Sequence, residues 1–175
     1  MIFLSPSEKK GFTLLEVIAI LVILGIISVV AISRMEPGSS LVATARDSLM
    51  SHLRLVQMRA MNTAADGDSV WGLRFVSSTR YHLFYCPAAG SCDPSNNASK
   101  VFAPGASEAE IDLSANQVTL SGIRFPAVIA FNRFGTPFSN AALTTALGNS
   151  MTITLQAAGV SNRIVITPLT GRISS

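Results

Sequence analysis

One uninterrupted apolar run dominates the first part of the chain. Residues 12–33 read FTLLEVIAILVILGIISVVAIS and contain a single charged residue, Glu16. As an α-helix, this run of 22 residues would be about 33 Å long, which is enough to cross a hydrocarbon core of about 30 Å. We therefore predict a transmembrane helix over residues 12–35. Lys9 and Lys10, which precede it, favour a cytoplasmic N-terminus.

The apolar run admits two other interpretations. The first is a helix buried on all sides in a protein core, because such a helix is also apolar on every face. A secretory signal peptide is the second, since Ala31-Ile32-Ser33 offers a small-x-small cleavage site. The hydrophobic segment of such a peptide is about 7–15 residues long, however, and this run is longer.

Beyond the run, the apolar positions return with the period of an amphipathic helix. We predict this helix over residues 36–64, with one apolar stripe that should lie against a sheet. Pro37-Gly38-Ser39-Ser40 disrupts the pattern at its start, so we expect a kink or a short interruption near residues 35–40. The predicted stripe consists of Val42, Ala45, Leu49, Leu53, Val56 and Ala60.

From residue 69 onward, the apolar positions alternate with period two, which predicts an antiparallel β head over residues 65–175. Two loops look long, at about 87–116 and 136–149. The predicted fold class is therefore α+β: a long N-terminal hydrophobic helix, membrane-spanning and then amphipathic, packed on an antiparallel sheet. The alternating positions are Trp71, Leu73, Phe75, Tyr81, Leu83, Tyr85, Val118, Leu120, 128–131, Met151, Ile153, Leu155, Ile164 and Ile166.

Composition narrows the function classes. Of the 175 residues, 49% are hydrophobic and 13% are charged, against about 25% charged in ordinary soluble domains. This balance excludes intrinsic disorder. Two His and two Cys fit neither a zinc finger nor a disulfide-dense scaffold. The chain has no nucleophile elbow, zinc-protease helix or phosphate loop, so we expect no enzyme, no cofactor and no metal.

The junction in front of the apolar run carries a specific motif. A short leader ends in Lys9-Lys10-Gly11, Phe12 opens the run, and Glu16 follows four residues later. This pattern closely resembles the class III signal of type IV prepilins and type II secretion pseudopilins. The resemblance implies that a membrane-embedded prepilin peptidase removes residues 1–11, cutting between Gly11 and Phe12, and then methylates the new amino group of Phe12.

The same resemblance assigns a role to Glu16. In the family, this carboxylate pairs with the free amine of a neighbouring subunit during assembly. A charge at the centre of a membrane helix costs about 2.5–3.5 kcal/mol, so it needs a partner. The alternative is that Glu16 pairs with its own amine or reaches the lipid headgroups. The implied partners are other pilins or pseudopilins, the prepilin peptidase and an inner-membrane assembly platform. The implied location is the bacterial inner membrane, as a single-pass protein with a periplasmic head, and then a filament.

Two segments of the C-terminal half carry a second resemblance. IAFNRFGTP at 129–137, and RIVITP followed by LTGRI at 163–173, are similar to a strand–turn and a closing hairpin of minor pseudopilins of the GspH/FimT group. They also resemble minor pilins of mannose-sensitive haemagglutinin-type pili. The resemblance implies a minor pilin or pseudopilin that primes, caps or decorates a filament. A signal-anchored envelope protein without a filament is an alternative.

DNA uptake is another alternative, because some FimT-like minor pilins are associated with it through a Gly-Arg-x-Arg segment. The matching stretch here is Gly171-Arg172-Ile173-Ser174, which lacks the second arginine. Arg163 and Arg172 are the candidate DNA contacts, if the two meet across a hairpin. The net charge is only +3, and it falls further when a leader containing two lysines and one glutamate is removed. We therefore expect that nucleic acid is not a partner.

Cys86 and Cys92 have five residues between them. After export they would face an oxidising space, so we predict a structural disulfide. A metal site is disfavoured because His82 is the only histidine near them in the sequence, and their spacing is not that of a redox CxxC motif.

Overall fold

A computed structural model describes residues 13–33, 37–63 and 69–175 of the chain. Gly11 and Phe12, which form the predicted cleavage junction, lie outside the described residues. The chain divides into two compact units, Met1–Glu36 and Pro37–Ser175. The fold is α+β, with two helices and antiparallel sheets, as the sequence predicts.

The described part of the first unit is helix α1, Leu14–Ser33. Its side chains are exposed from Leu14, which is 81% exposed, to Ile27. Among the described residues, none of the helices combines the length and the hydropathy that crossing a bilayer requires. The membrane span stays a prediction.

The second unit begins with helix α2, Pro37–Asn62. The expected interruption near residues 35–40 is wrong for residues 37–40, which are helical. Proline is tolerated in a first helical turn because the N–H that it lacks has no intrahelical partner there. The predicted apolar stripe is confirmed, since all six of its residues, Val42, Ala45, Leu49, Leu53, Val56 and Ala60, are buried.

Ten strands follow α2 in the described residues, and they form two antiparallel sheets. The larger sheet has the order β3-β2-β1-β6-β7, with β4 also pairing with β2, and the smaller has the order β10-β9-β8-β5. The strands are β1 (Val70–Phe75), β2 (Arg80–Cys86), β3 (Lys100–Val101), β4 (Glu110–Asp112), β5 (Thr119–Ser121), β6 (Ala127–Phe131), β7 (Pro137–Phe138), β8 (Met151–Ala157), β9 (Val160–Ile166) and β10 (Ile173–Ser174).

The turn between β1 and β2 connects the two sheets. The backbone N–H of Leu120 in β5 donates to the carbonyl oxygen of Ser78 at 2.6 Å. The N–H of Leu113 donates to the carbonyl of Thr79 at 2.8 Å. Helix α2 packs against strands of both sheets, so one main core lies between the helix and the two sheets.

A second, smaller core lies on the opposite face of the larger sheet. Alternation along β1 explains it: Leu73 belongs to the main core, whereas Val70 belongs to the smaller one. The ring of Phe84 lies directly over Gly72, where a Cβ atom would collide with it and with the carbonyl of Ile129. The period-two pattern predicts the first of these cores but not the second. The buried residues of the smaller core are Val70, Phe84, Cys86, Ala130 and Ala141.

Candidate functional site

The start of α1 is built around Thr13 and Glu16. The hydroxyl oxygen of Thr13 accepts a hydrogen bond from the backbone N–H of Glu16 at 3.2 Å, so Thr13 caps the helix. Glu16 is therefore the third residue of the helix, where its negative charge is favoured by the helix dipole. Its carboxylate has no hydrogen bond or ion pair among the described residues.

Sequence reasoning missed this cap. Thr13-Leu14-Leu15-Glu16 has the S/T-x-x-E form of a capping box, which is readable without a structure. The cap in the structure uses the hydroxyl of Thr13 and the backbone N–H of Glu16, so it does not depend on the Glu16 side chain. The carboxylate of Glu16 is left with the assembly role that the resemblance implies.

The predicted disulfide is present in the structure. Cys86, at the end of β2, is bonded to Cys92, and their Cα atoms are 5.6 Å apart, a usual separation for a disulfide. Cys86 is fully buried in the smaller core and Cys92 packs against it. The enclosed loop is also fixed to the segment after β7, because the N–H of Gly90 donates to the carbonyl of Ala141 at 3.4 Å.

Removing the disulfide should lower the stability of the head. Changing both Cys86 and Cys92 to Ser should reduce the free energy of unfolding by about 2.4 kcal/mol, since a short closed loop no longer restricts the unfolded chain. Urea denaturation of both proteins under oxidising conditions measures this. The same comparison in reductant is the control, because there the two curves should converge. Equal stability under oxidising conditions would contradict the prediction.

His82 holds in place the segment that follows Cys92. Its side chain is 1% exposed, and its Nε2–H donates to the carbonyl of Pro94 at 2.8 Å. Nδ1 is buried without a partner among the described residues. Burial lowers the pKa of His82; the charges of Arg74 and Lys100 lower it further, while the Pro94 carbonyl and Glu110 oppose the shift. At neutral pH, His82 is therefore uncharged in the folded head.

We expect the head to lose stability in mild acid because of His82. Its pKa is lower in the folded state than the value of about 6.5 in the unfolded chain, so the unfolded chain binds more protons. The contribution of His82 is complete above that pH and is lost as the pH falls below it. Urea midpoints at successive pH values between neutral and pH 5 test this. His82→Gln should flatten this pH dependence. His52→Gln is the control, because it measures separately the contribution of the other histidine, whose pKa is also lowered by burial. An unchanged slope in His82→Gln would contradict the account.

The two C-terminal segments that the resemblance singled out meet at one side chain of α2. The Nε2 of Gln57 donates to the carbonyl oxygen of Gly135 at 3.0 Å and to that of Gly171 at 3.1 Å. Both glycines have positive φ angles, 75° and 62°. A Cβ atom on Gly171 would collide with the Gly135 carbonyl, so the two turns need glycine in order to approach. Nothing in the sequence pattern points to Gln57.

Arg163 and Arg172 do not lie opposite each other. Ile173 pairs with Ile166, and the N–H of Thr167 donates to the carbonyl of Arg172, so Arg172 is opposite Thr167. Four residues along β9 separate Thr167 from Arg163, which is about 13 Å. Both arginines are exposed and share one face of the smaller sheet. The hairpin thus does not bring the two candidate DNA contacts together at one point. Among the described residues, no group of three or more His, Cys, Asp or Glu side chains could hold a metal ion.

Comparison with protein families identifies the N-terminal segment. The prokaryotic N-terminal methylation motif matches residues 6–32, a range that includes the predicted junction Gly11-Phe12 and Glu16. No curated protein and no solved structure matches the chain. The prediction of a pilin-type N-terminus is confirmed by this match. The chain therefore carries the prokaryotic N-terminal methylation motif, the N-terminal signal of type IV pilin-like proteins.

Proposed function

We propose that this protein is a minor pilin or pseudopilin, a structural subunit that primes or decorates a type IV pilus or a type II secretion pseudopilus. One observation carries the proposal: the methylation motif over residues 6–32 includes all of the apolar helix α1 except its last residue, with Glu16 in the first turn. A motif of this type belongs to assembly subunits rather than to enzymes. The GspH/FimT-like segments near Gly135 and Gly171 support assignment to the minor group.

In this proposal, α1 holds the subunit in the membrane until it is assembled. Cleavage between Gly11 and Phe12 occurs before the apolar run, so the mature chain keeps its anchor. The proposed span is residues 12–35, which extends at both ends beyond the side chains that the structure describes. The described large apolar side chains of α1 are exposed. We expect such a surface to contact lipid or other apolar helices.

Glu16 then guides the exchange of lipid contacts for subunit contacts. Its carboxylate is without a partner among the described residues, and an unpaired charge in a bilayer is costly. Cleavage creates a free amine on Phe12, and the amine of a neighbouring subunit provides the opposite charge. Pairing the two in an apolar environment is favourable, since Coulomb attraction strengthens as the dielectric constant falls. Helix packing and this ion pair would together set the register of the subunits.

The head would face the periplasm and then the filament surface. Its disulfide between Cys86 and Cys92 suits the oxidising envelope. The partners in this scheme are other pilins or pseudopilins, the prepilin peptidase and an inner-membrane assembly platform. Nucleic acid is not among the proposed partners, and the two candidate contacts, Arg163 and Arg172, do not lie opposite each other in the hairpin.

Fractionation of cells with and without the prepilin peptidase tests the proposal. The chain should be found in the inner membrane in both strains, and it should be shortened only where the peptidase is present. Protease added to spheroplasts should digest the head, which would lie on the periplasmic side. Recovery of the chain in the soluble periplasmic fraction, or equal shortening in both strains, would refute the proposal.

A further inference from the structure

Two neighbouring turns present large apolar side chains to solvent on a rigid base. Phe134, 70% exposed, is at the tip of the turn between β6 and β7, and Leu169, 76% exposed, is at the tip of the turn between β9 and β10. The side-chain oxygen of Asn132 fixes the first turn by accepting from the N–H of Phe134 at 3.0 Å and from that of Thr136 at 2.9 Å. Gln57 binds both turns together. We call residues 132–136 and 168–172 the turn pair.

The turn pair is positively charged and its charges are not neutralised. The guanidinium of Arg133 lies 4.9 Å from the ring centroid of Phe134, and Arg172 follows the second turn. Neither arginine forms an ion pair among the described residues. A surface that combines exposed apolar tips with unpaired cations fits an acidic protein surface, since charge complementarity steers and orients association.

An acidic surface of this kind exists on the same chain. Glu108 lies just before β4, and Asp112 lies in β4. Both are exposed, and neither has an ion pair among the described residues. Hydrogen bonding from Ser114 holds the pKa of Asp112 below its ordinary value, so it stays charged. Glu110 between them is already paired, with Arg80 at 3.1 Å and Lys100 at 3.2 Å. We call residues 107–112 the acidic edge.

The two surfaces lie at opposite corners of the larger sheet. β4 pairs with the outer side of β2, whereas β6 is on the far side of β1, about 14 Å away across three strand spacings. They also lie at opposite ends of the strands. Phe131, which leads into the first turn, is level with Tyr85 near the end of β2, whereas Asp112 is level with Arg80 at its start. One copy would therefore present the two surfaces to two different neighbours.

We propose that the turn pair of one copy docks on the acidic edge of a second copy of this chain. The apolar tips Phe134 and Leu169 would be covered there. Arg172 would face Glu108, and Arg133 would face Asp112. Because the two surfaces differ, the contact is heterologous: one copy contributes its turn pair and its neighbour contributes its acidic edge. This inference rests on the proposed function, since it supplies the contact between heads in an assembly that the N-terminal helices begin.

Photo-crosslinking of the full chain in membranes tests the contact. A benzoylphenylalanine in place of Leu169 should crosslink to residues 107–112 of a second copy, as mapped by mass spectrometry. Arg172→Glu or Glu108→Arg alone should lower the yield by about tenfold, because like charges then face each other. The two changes combined in one chain should restore it, since every contact again joins opposite charges. Asp47→Arg, a charge reversal on α2, is the matched control and should leave the yield unchanged.

Three outcomes would overturn the inference. The first is a crosslink from position 169 to another part of the chain, to nucleic acid or to another protein. The others are a crosslinking yield that neither single reversal lowers, and a yield in the double variant that stays as low as in the single variants. Arg172 and Glu108 are exposed and their side chains form no hydrogen bonds or ion pairs among the described residues, so misfolding is not expected; urea midpoints verify this.

The N-terminal mass of the same samples separates the two proposals. Processed chains without the crosslink refute the docking alone.

Discussion

Replacing Glu16 with Val should leave the junction after Gly11 fully cleaved and yet remove the subunit from its assemblies. The proposed cleavage is at the Gly11-Phe12 bond, which the substitution does not touch. The proposed membrane helix would also hold the variant more firmly, because a costly charge would be replaced by an apolar side chain. What is lost is the carboxylate that would pair with the amine of a neighbouring subunit. Recovery of tagged partner pilins with the variant, relative to wild type, measures the loss, which should be nearly complete.

The Thr13 cap at the start of α1 makes a sharper version of this experiment available. The cap uses the backbone N–H of Glu16 and not its side chain, so Glu16→Gln keeps the cap and removes the charge. Thr13→Ala does the opposite, and loss of such a cap costs about 1 kcal/mol of helix stability. If the charge registers subunits, Glu16→Gln should fail to assemble and Thr13→Ala should assemble. The reverse result would mean that assembly depends on the Thr13 cap and not on the charge of Glu16.

Replacing Gly11 with Leu should abolish processing. Glycine has no side chain, so the peptidase can approach the scissile bond closely, and a branched side chain would block that approach. The uncleaved chain would keep its leader, would lack the methylated amine on Phe12 and would therefore be excluded from assemblies. Immunoblots of membranes should show only the precursor.

Ser7→Leu is the matched control for the Gly11 variant. It places the same side chain four residues earlier in the leader, away from the scissile bond, and should be processed normally. If Gly11→Leu is cleaved as efficiently as Ser7→Leu, the predicted junction is wrong.

Much of the head follows from hydrophobic periodicity. The stripe from Val42 to Ala60 is long enough for a helical period to be read, and β8 and β9 are long enough to show alternation. The strands β3, β4, β7 and β10 have two or three residues each, so they carry no period. Their positions depend on hydrogen bonds to strands that are distant in the sequence. Three of them lie in the segments that the sequence predicts as long loops.

The candidate sites also divide into those formed by residues close in the sequence, which can be predicted, and those formed by distant residues, which cannot. The methylation motif and the Cys86–Cys92 disulfide are local in sequence, and both were readable from residue types and spacing. The junction of the two glycine turns at Gln57 involves residues 78 and 114 positions away along the chain. No spacing rule predicts such a contact. The interruption expected near residues 35–40 is wrong at 37–40 for a local reason, because proline breaks a helix interior but fits a first turn.

The most direct test of the account is the intact mass of the mature chain isolated from the cell envelope. The account predicts one species, the 164 residues from Phe12 to Ser175, with one methyl group on the N-terminal amine and with Cys86 and Cys92 joined in a disulfide. Fragmentation of the N-terminal peptide should place the methyl group on the amine of Phe12. A chain that begins after Ser33, or one that still begins at Met1, would contradict the pilin-type account.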